Sequence, residues 1–161
     1  MDYRLGTLQD LDDICELIKD AIAEMERHGI YQWDELYPTR DDFKEDIEKG
    51  TLFVVCEEDA LAAFYVISAE YDEQYSNAAW EQDADTAYIL HRFCVSPKVQ
   101  NRGVGRTVLA HIEDQVKEME DLYHMYRWQR EGILAENSPY SDYAKQIALQ
   151  IEELAEQLRE D

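Results

Sequence analysis

The sharpest chemical signal in this chain is an eleven-residue run, Ser96-Pro97-Lys98-Val99-Gln100-Asn101-Arg102-Gly103-Val104-Gly105-Arg106. It follows a stretch that reads as a strand and opens one that reads as a helix. The start of a helix leaves about four backbone N–H groups unpaired and carries a partial positive charge, so an anion is favoured there. Gly103 and Gly105 lack a Cβ, which lets a diphosphate approach the main chain. Arg102 and Arg106 add two cations nearby. Such fixed local donors can hold a polyanion even though the chain carries 15 Lys+Arg against 37 Asp+Glu, a net charge of −22. The third glycine of a dinucleotide fingerprint and the Gly-Lys-Ser/Thr of a P-loop are both missing, so those two phosphate sites are excluded.

Other chemistries find less support. Cys15, Cys56 and Cys94 are widely spaced, form no C-x-x-C pair and sit in apolar runs, where a free cysteine behaves as a small hydrophobe. His28, His91, His111 and His124 are scattered without ligand spacing, so no metal is expected. Nucleic-acid binding needs a basic face, which this composition opposes. The same acidity favours cationic ligands, as a bias that salt screens over about 8 Å. The longest uncharged apolar stretches, such as 61–68, fall far short of the roughly 20 residues that span a bilayer. Met1-Asp2-Tyr3-Arg4 lacks the layout of a secretory signal. The expectation is a soluble, cytoplasmic protein without membrane partners.

The elements that position the turn follow from periodicity. Tyr3-Arg4-Leu5 reads as a short strand. Thr7 precedes Leu8, Leu11, Ile14, Cys15, Ile18, Ile22 and Met25, apolar at helical spacing until Gly29. A second helix is expected over Arg40–Glu48, closed by Gly50. Residues 51–56 and 61–68 are β-branched and aromatic around the polar turn 57–60, a hairpin. Residues 70–85 read as a loop, and 86–95 as a strand ended by Pro97. A long helix then begins near Arg102–Gly103 with Val104, Val108, Leu109, Ile112, Val116 and Met119 on one face.

Gln100-x-x-Gly103-x-Gly105 resembles the Q/R-x-x-G-x-G/A signature of the GNAT superfamily of acetyl-CoA-dependent N-acetyltransferases. Leu90–Pro97 is similar to the fourth strand of that family, and the resemblance covers about residues 2–120. It implies an α/β (α+β) fold whose central, mostly antiparallel sheet is flanked by helices. It also implies one acyltransferase-like domain over 1–161, with a core at 1–120 and a divergent helical tail at 121–161. By the same resemblance, main-chain groups of Phe93, Cys94 and Val95 would pair with the pantetheine arm of acetyl-CoA. Amides of Gln100, Asn101, Arg102, Gly103, Val104, Gly105 and Arg106 would hold its diphosphate. A main-chain N–H near Phe93–Val95 would polarise the acetyl carbonyl. A primary amine, on a small molecule or a protein, would attack the thioester directly, which leaves Cys94 as a wall residue. Gln32, Trp33 and Tyr37 would line the acceptor cleft, where an aromatic wall suits a cationic amine. Glu70, Asp72 and Glu73 follow the third strand near the acceptor entrance, and Glu70 is the first candidate base.

The C-terminal third departs from the family. Gly132-Ile133-Leu134-Ala135 is a remnant of a fifth strand at most. Asn137 would open the N-x-x segment that contacts the cofactor, but no tyrosine follows it at the family's seven-residue spacing. Tyr143, then Tyr140, are the candidate proton donors to the departing thiolate. Tyr140, Ala144, Ile147, Ile151, Leu154 and Leu158 alternate steps of four and three, so a helix stands where closing strands are usual. That seam fits either the chain's own sheet or a second copy, as a homodimer. With the closing elements altered, the alternative to an active transferase is a catalytically impaired CoA-binding or self-associating module.

Overall fold

A computed structural model describes residues 1–69 and 88–130, with side chains as far as Met119. It divides into two units, 1–109 and 110–161. The first holds the sheet: strands β1 (Asp2–Leu5), β2 (Leu52–Glu57), β3 (Ala60–Ser68) and β4 (Ile89–Val95), all antiparallel in the order β1-β2-β3-β4. Between β1 and β2 lie helix α1 (Leu11–Arg27) and helix α2 (Arg40–Glu48). After β4, helix α3 runs Val104–Arg130. Its residues 110–130 are the described part of the second unit, so the aromatic stretch from 120 onward continues this helix. The expected order of strand, two helices, three strands and helix is thus observed, in a mixed α/β fold with an antiparallel sheet. The expected loop at 70–85, Gly132–Ala135 and the C-terminal seam lie outside the described residues.

Local chemistry sets each boundary. Thr39 caps α2: its Oγ1 accepts from the Asp42 N–H at 3.3 Å, while Asp42 Oδ2 accepts from the Thr39 N–H at 2.6 Å. This reciprocal box satisfies two end groups at once. Glu58 and Asp59 turn the hairpin with φ of 51° and 65°, the conformation a two-residue hairpin loop requires. The start of α1 differs from expectation, because Leu8–Asp10 winds as a 3₁₀ turn before the α-helix begins. Asp10 causes the tightening by accepting from the Thr7 N–H at 2.8 Å and from both Arg4 Nη atoms at 2.7 and 2.8 Å.

The Arg4 guanidinium, followed by the Thr7 amide and hydroxyl, holds the Asp10 carboxyl down at about 2 against an ordinary 3.8. A depressed carboxylate stabilises the fold above its unfolded value, and that contribution disappears as pH falls from 3.8 toward 2. Asp10→Asn should therefore melt well below the parent protein at pH 6, with the gap closing near pH 2. Thermal melts across that range check it, and an equal gap at both ends would contradict it.

The core lies between the helices and one face of the sheet. Leu11, Ile14, Leu17, Ile18 and Ala21 of α1 and Phe43 of α2 are buried against Leu52, Val54, Phe64, Val66 and Cys94. Phe43 meets Phe64 edge to face, with centroids 5.3 Å apart at 78°. On the opposite face Phe53 stacks on Tyr65 at 5.2 Å. Burying a large apolar side chain stabilises by about 1.5–3 kcal/mol, so these two layers fix how β4 is presented.

Candidate functional site

The turn after β4 is built as its residue types require. Ser96 caps a 3₁₀ turn at Pro97–Val99, its Oγ accepting from the Lys98 N–H at 3.3 Å, and its own N–H donates to the Ala62 carbonyl at 2.8 Å. Gln100 Nε2 donates back to the Val95 carbonyl at 3.2 Å. Asn101 and Gly103 then take φ of +62° and +81°, and α3 begins. The first bond into the helix runs from the Thr107 N–H to the Gly103 carbonyl at 3.1 Å. Among the described residues, the N–H groups from Asn101 to Arg106 have no acceptor. These donors lie in the turn before α3 and in its first residues, a place where a helix start favours anions.

The two glycines have different reasons for being there. Gly103 needs its conformational freedom, since a side chain at φ +81° is strained. Gly105 sits in the first helical turn, where alanine would be better by about 1 kcal/mol. A Cβ there would meet only Val95 Cγ2, at an ordinary 3.7 Å. Nothing within the described fold requires glycine at 105, whereas a close-lying ligand would.

Beside the turn, a cavity of about 470 Å³ opens between α1 and β4. Phe93, Cys94, Val95 and Gln100 line one side, and Gln32 and Trp33 the other. Six sequence-derived candidates for cofactor and acceptor thus line one space beside the strand ahead of the turn. Tyr37 does not join them. Its ring lies under Arg92, whose Cζ is 5.4 Å from the centroid, and Arg92 Nη1 donates to Asp46 Oδ2 at 2.6 Å. Arg102 is also committed, to Glu57 at 3.1 and 3.2 Å, which leaves Arg106 as the cation of the pair not engaged in a described ion pair. Val104 is buried and contributes only its main chain to the turn. Burial pushes the Cys94 thiol up to about 12, so it carries no thiolate at neutral pH and walls the cavity without serving as a nucleophile.

Sequence reading missed Glu24, Met25 and His28, which line the same cavity from the last turns of α1, and His91 from β4. The first three share a helix face with Ala21 at i+3, i+4 and i+7 spacing, a signal that was available. No group of three or more His, Cys, Asp and Glu that could hold a metal occurs among the described residues. No described helix is long and apolar enough to cross a membrane.

A strand, an amide-lined turn and a glycine-opened helix start, ordered this way on an antiparallel sheet, agree with what comparison with other proteins finds. The model of the acetyltransferase (GNAT) family matches residues 13–134. The chain belongs to the GNAT acetyltransferase family. That family consists of transferases of class EC 2.3.1. The uncharacterized N-acetyltransferase YesJ of Bacillus subtilis (strain 168) is 29% identical over 108 residues, which cover 65% of this chain and 59% of that protein. The chain thus spans somewhat over half the length of this relative. A GNAT-family acetyltransferase structure from Streptococcus agalactiae 2603 superposes with a TM-score of 0.64 at 29% identity, over 71% of this chain and 69% of that one. One from Listeria monocytogenes 4b F2365 gives 0.60 at 24% identity over 73% and 70%, a likeness of fold. For this GNAT chain, Glu70, Asn137, Tyr140 and Tyr143 lie outside the described residues.

Proposed function

We propose that this GNAT chain transfers acetyl from acetyl-CoA to a primary amine, with direct attack of the amine on the thioester. The observation that carries the reading is the set of unpaired N–H groups at Asn101–Arg106, opening beside the cavity lined by Phe93, Cys94 and Val95. In this reading those amides take the diphosphate, with Arg106 adding charge, and main-chain groups of β4, an edge strand among the described residues, align the pantetheine arm. A main-chain N–H near Phe93–Val95 polarises the acetyl carbonyl, a donor fixed in place before charge develops. The acceptor enters past Gln32 and Trp33. Trp33 and the acidic surroundings favour an ammonium-bearing amine over an anionic one. A cytoplasmic location accords with the use of acetyl-CoA.

Thiol release from acetyl-CoA, followed in the presence of 1,4-diaminobutane, spermidine, tyramine, kanamycin and a lysine peptide, tests the reaction. Release with at least one of them is expected. Acetyl-CoA binding without release for any would instead indicate a CoA-binding module, and the absence of both would refute the reading.

A further inference from the structure

The pairing of β3 with β4 shifts register between Val66 and Ile67: Val66 opposes Arg92, but Ile67 opposes Leu90. His91 is therefore the extra residue of a β-bulge, a feature that re-aims side chains next to active sites. Arg92 points to the helix-covered face, where it meets Asp46 of α2. Ser68, two residues beyond Val66, belongs to that same face. His91 reaches it as well, since its Nε2 lies 2.9 Å from Ser68 Oγ. The bulge thus turns two consecutive side chains toward the helices, and it brings the imidazole to the wall shared by two cavities. One is the 470 Å³ cavity of Phe93, Cys94, Trp33 and Gln32. The other is a smaller cavity of about 160 Å³ walled by Asp42, Glu45, Asp46, Lys49, Thr51 and Arg92.

We infer that His91 is the base that takes the proton from the acceptor ammonium, with Ser68 as its positioning residue; this rests on the acetyl-transfer reading above. The other ionisable groups around it are already engaged. From α1, Glu24 accepts from Arg27 and meets His28 Nε2 at 3.1 Å. From α2, Asp46 is held by Arg92, Asp42 accepts from Thr39, and Glu45 pairs with Lys49 at 2.9 Å. His91 alone of these has a neutral hydroxyl as its described partner. The 2.9 Å contact allows either ring tautomer, and the proposed role uses the one in which Nε2–H donates to Ser68 Oγ and the lone pair sits on Nδ1. An imidazole nitrogen can accept a proton from an ammonium and pass it on to water, which is what a general base must do.

The proton count closes. The ammonium gives one proton to Nδ1, and the neutral amine forms the C–N bond at the thioester carbonyl. The C–S bond then breaks, and the second nitrogen-borne proton leaves on sulfur as the CoA thiol. The imidazolium returns its proton to solvent.

The test compares two acceptors in the thiol-release assay. One is whichever of the five amines above the parent protein acetylates fastest, an ammonium at pH 7. The other is hydroxylamine, which is already uncharged there and needs no base. His91→Gln should slow the ammonium acceptor about 100-fold and remove the acid limb of its kcat/KM profile. The loss with hydroxylamine should be at least tenfold smaller, and acetyl-CoA affinity by calorimetry should hold. Equal losses with both acceptors, or an unchanged rate with the ammonium, would overturn the assignment. A parent protein that turns over no amine and binds no acetyl-CoA would overturn the transfer reading beneath it, which is a different result.

Discussion

Gly105→Trp is expected to abolish acetyl-CoA binding, at least 100-fold in Kd, while the protein keeps its fold. The two halves of that expectation come from the same geometry. Among the described residues a Cβ at 105 meets only the Val95 side chain at 3.7 Å, and the position lies in ordinary helical backbone, so the described fold has no use for glycine there. Alanine there would even favour the helix. A tryptophan, however, would fill the space in front of the N–H groups from Asn101 to Arg106. Gly103 gives a poorer test, because its φ of +81° would strain any replacement and confuse loss of binding with loss of structure. Calorimetry with acetyl-CoA, together with a thermal melt, checks both halves. Undiminished binding by a folded Gly105→Trp would remove the turn from the site.

The second large effect is on stability. Asp46 and Arg92 pair at 2.6 Å with both side chains only 13% exposed, and Arg92 Nε has no partner among the described residues. Burial raises the Asp46 carboxyl, and this outweighs the opposing influence of Arg92. The pair is thus one whose desolvation rivals its attraction. Under that balance, deleting one partner is worse than deleting both. Asp46→Ala should cost about 3 kcal/mol, since it strands the Arg92 guanidinium among Tyr37, Val66 and α2. Asp46→Leu combined with Arg92→Leu should cost clearly less than that single change. Urea denaturation of the variants decides, and a double variant less stable than Asp46→Ala would show that the pair is a net stabiliser. Tyr37 ties this pair to the segment that carries Gln32 and Trp33, so its integrity bears on the wall of the larger cavity.

What could be read from the sequence was whatever local chemistry determines. The limits of α2 are recoverable because Thr39 and Asp42 form a capping box and Gly50 ends the turn beyond it. The hairpin is recoverable because residues 57–60 interrupt two β-branched runs. The anion turn is recoverable because Gln100, Gly103 and Gly105 lie between a strand and a helix. Pairings made across the fold were not legible. Arg92 finds Asp46 from 46 positions away and Arg102 finds Glu57 from 45, and neither has a local pattern. The bulge at His91 exists only relative to the register of β3, so four scattered histidines gave no hint that one of them lines a cavity with Phe93, Cys94 and Val95. The family resemblance grouped Tyr37 with Gln32 and Trp33, whereas its ring lies against Arg92 and not among the residues lining that cavity.

The proposed acetyl transfer requires the amides of Asn101–Arg106 to grip a diphosphate. Titrating ¹⁵N-labelled protein with coenzyme A while following the backbone amide signals addresses it directly. The account predicts that the largest shifts fall on Gly103, Val104, Gly105 and Arg106, with Phe93–Val95 moving alongside. Saturable binding that leaves those amides in place, or no binding at millimolar coenzyme A, would contradict it.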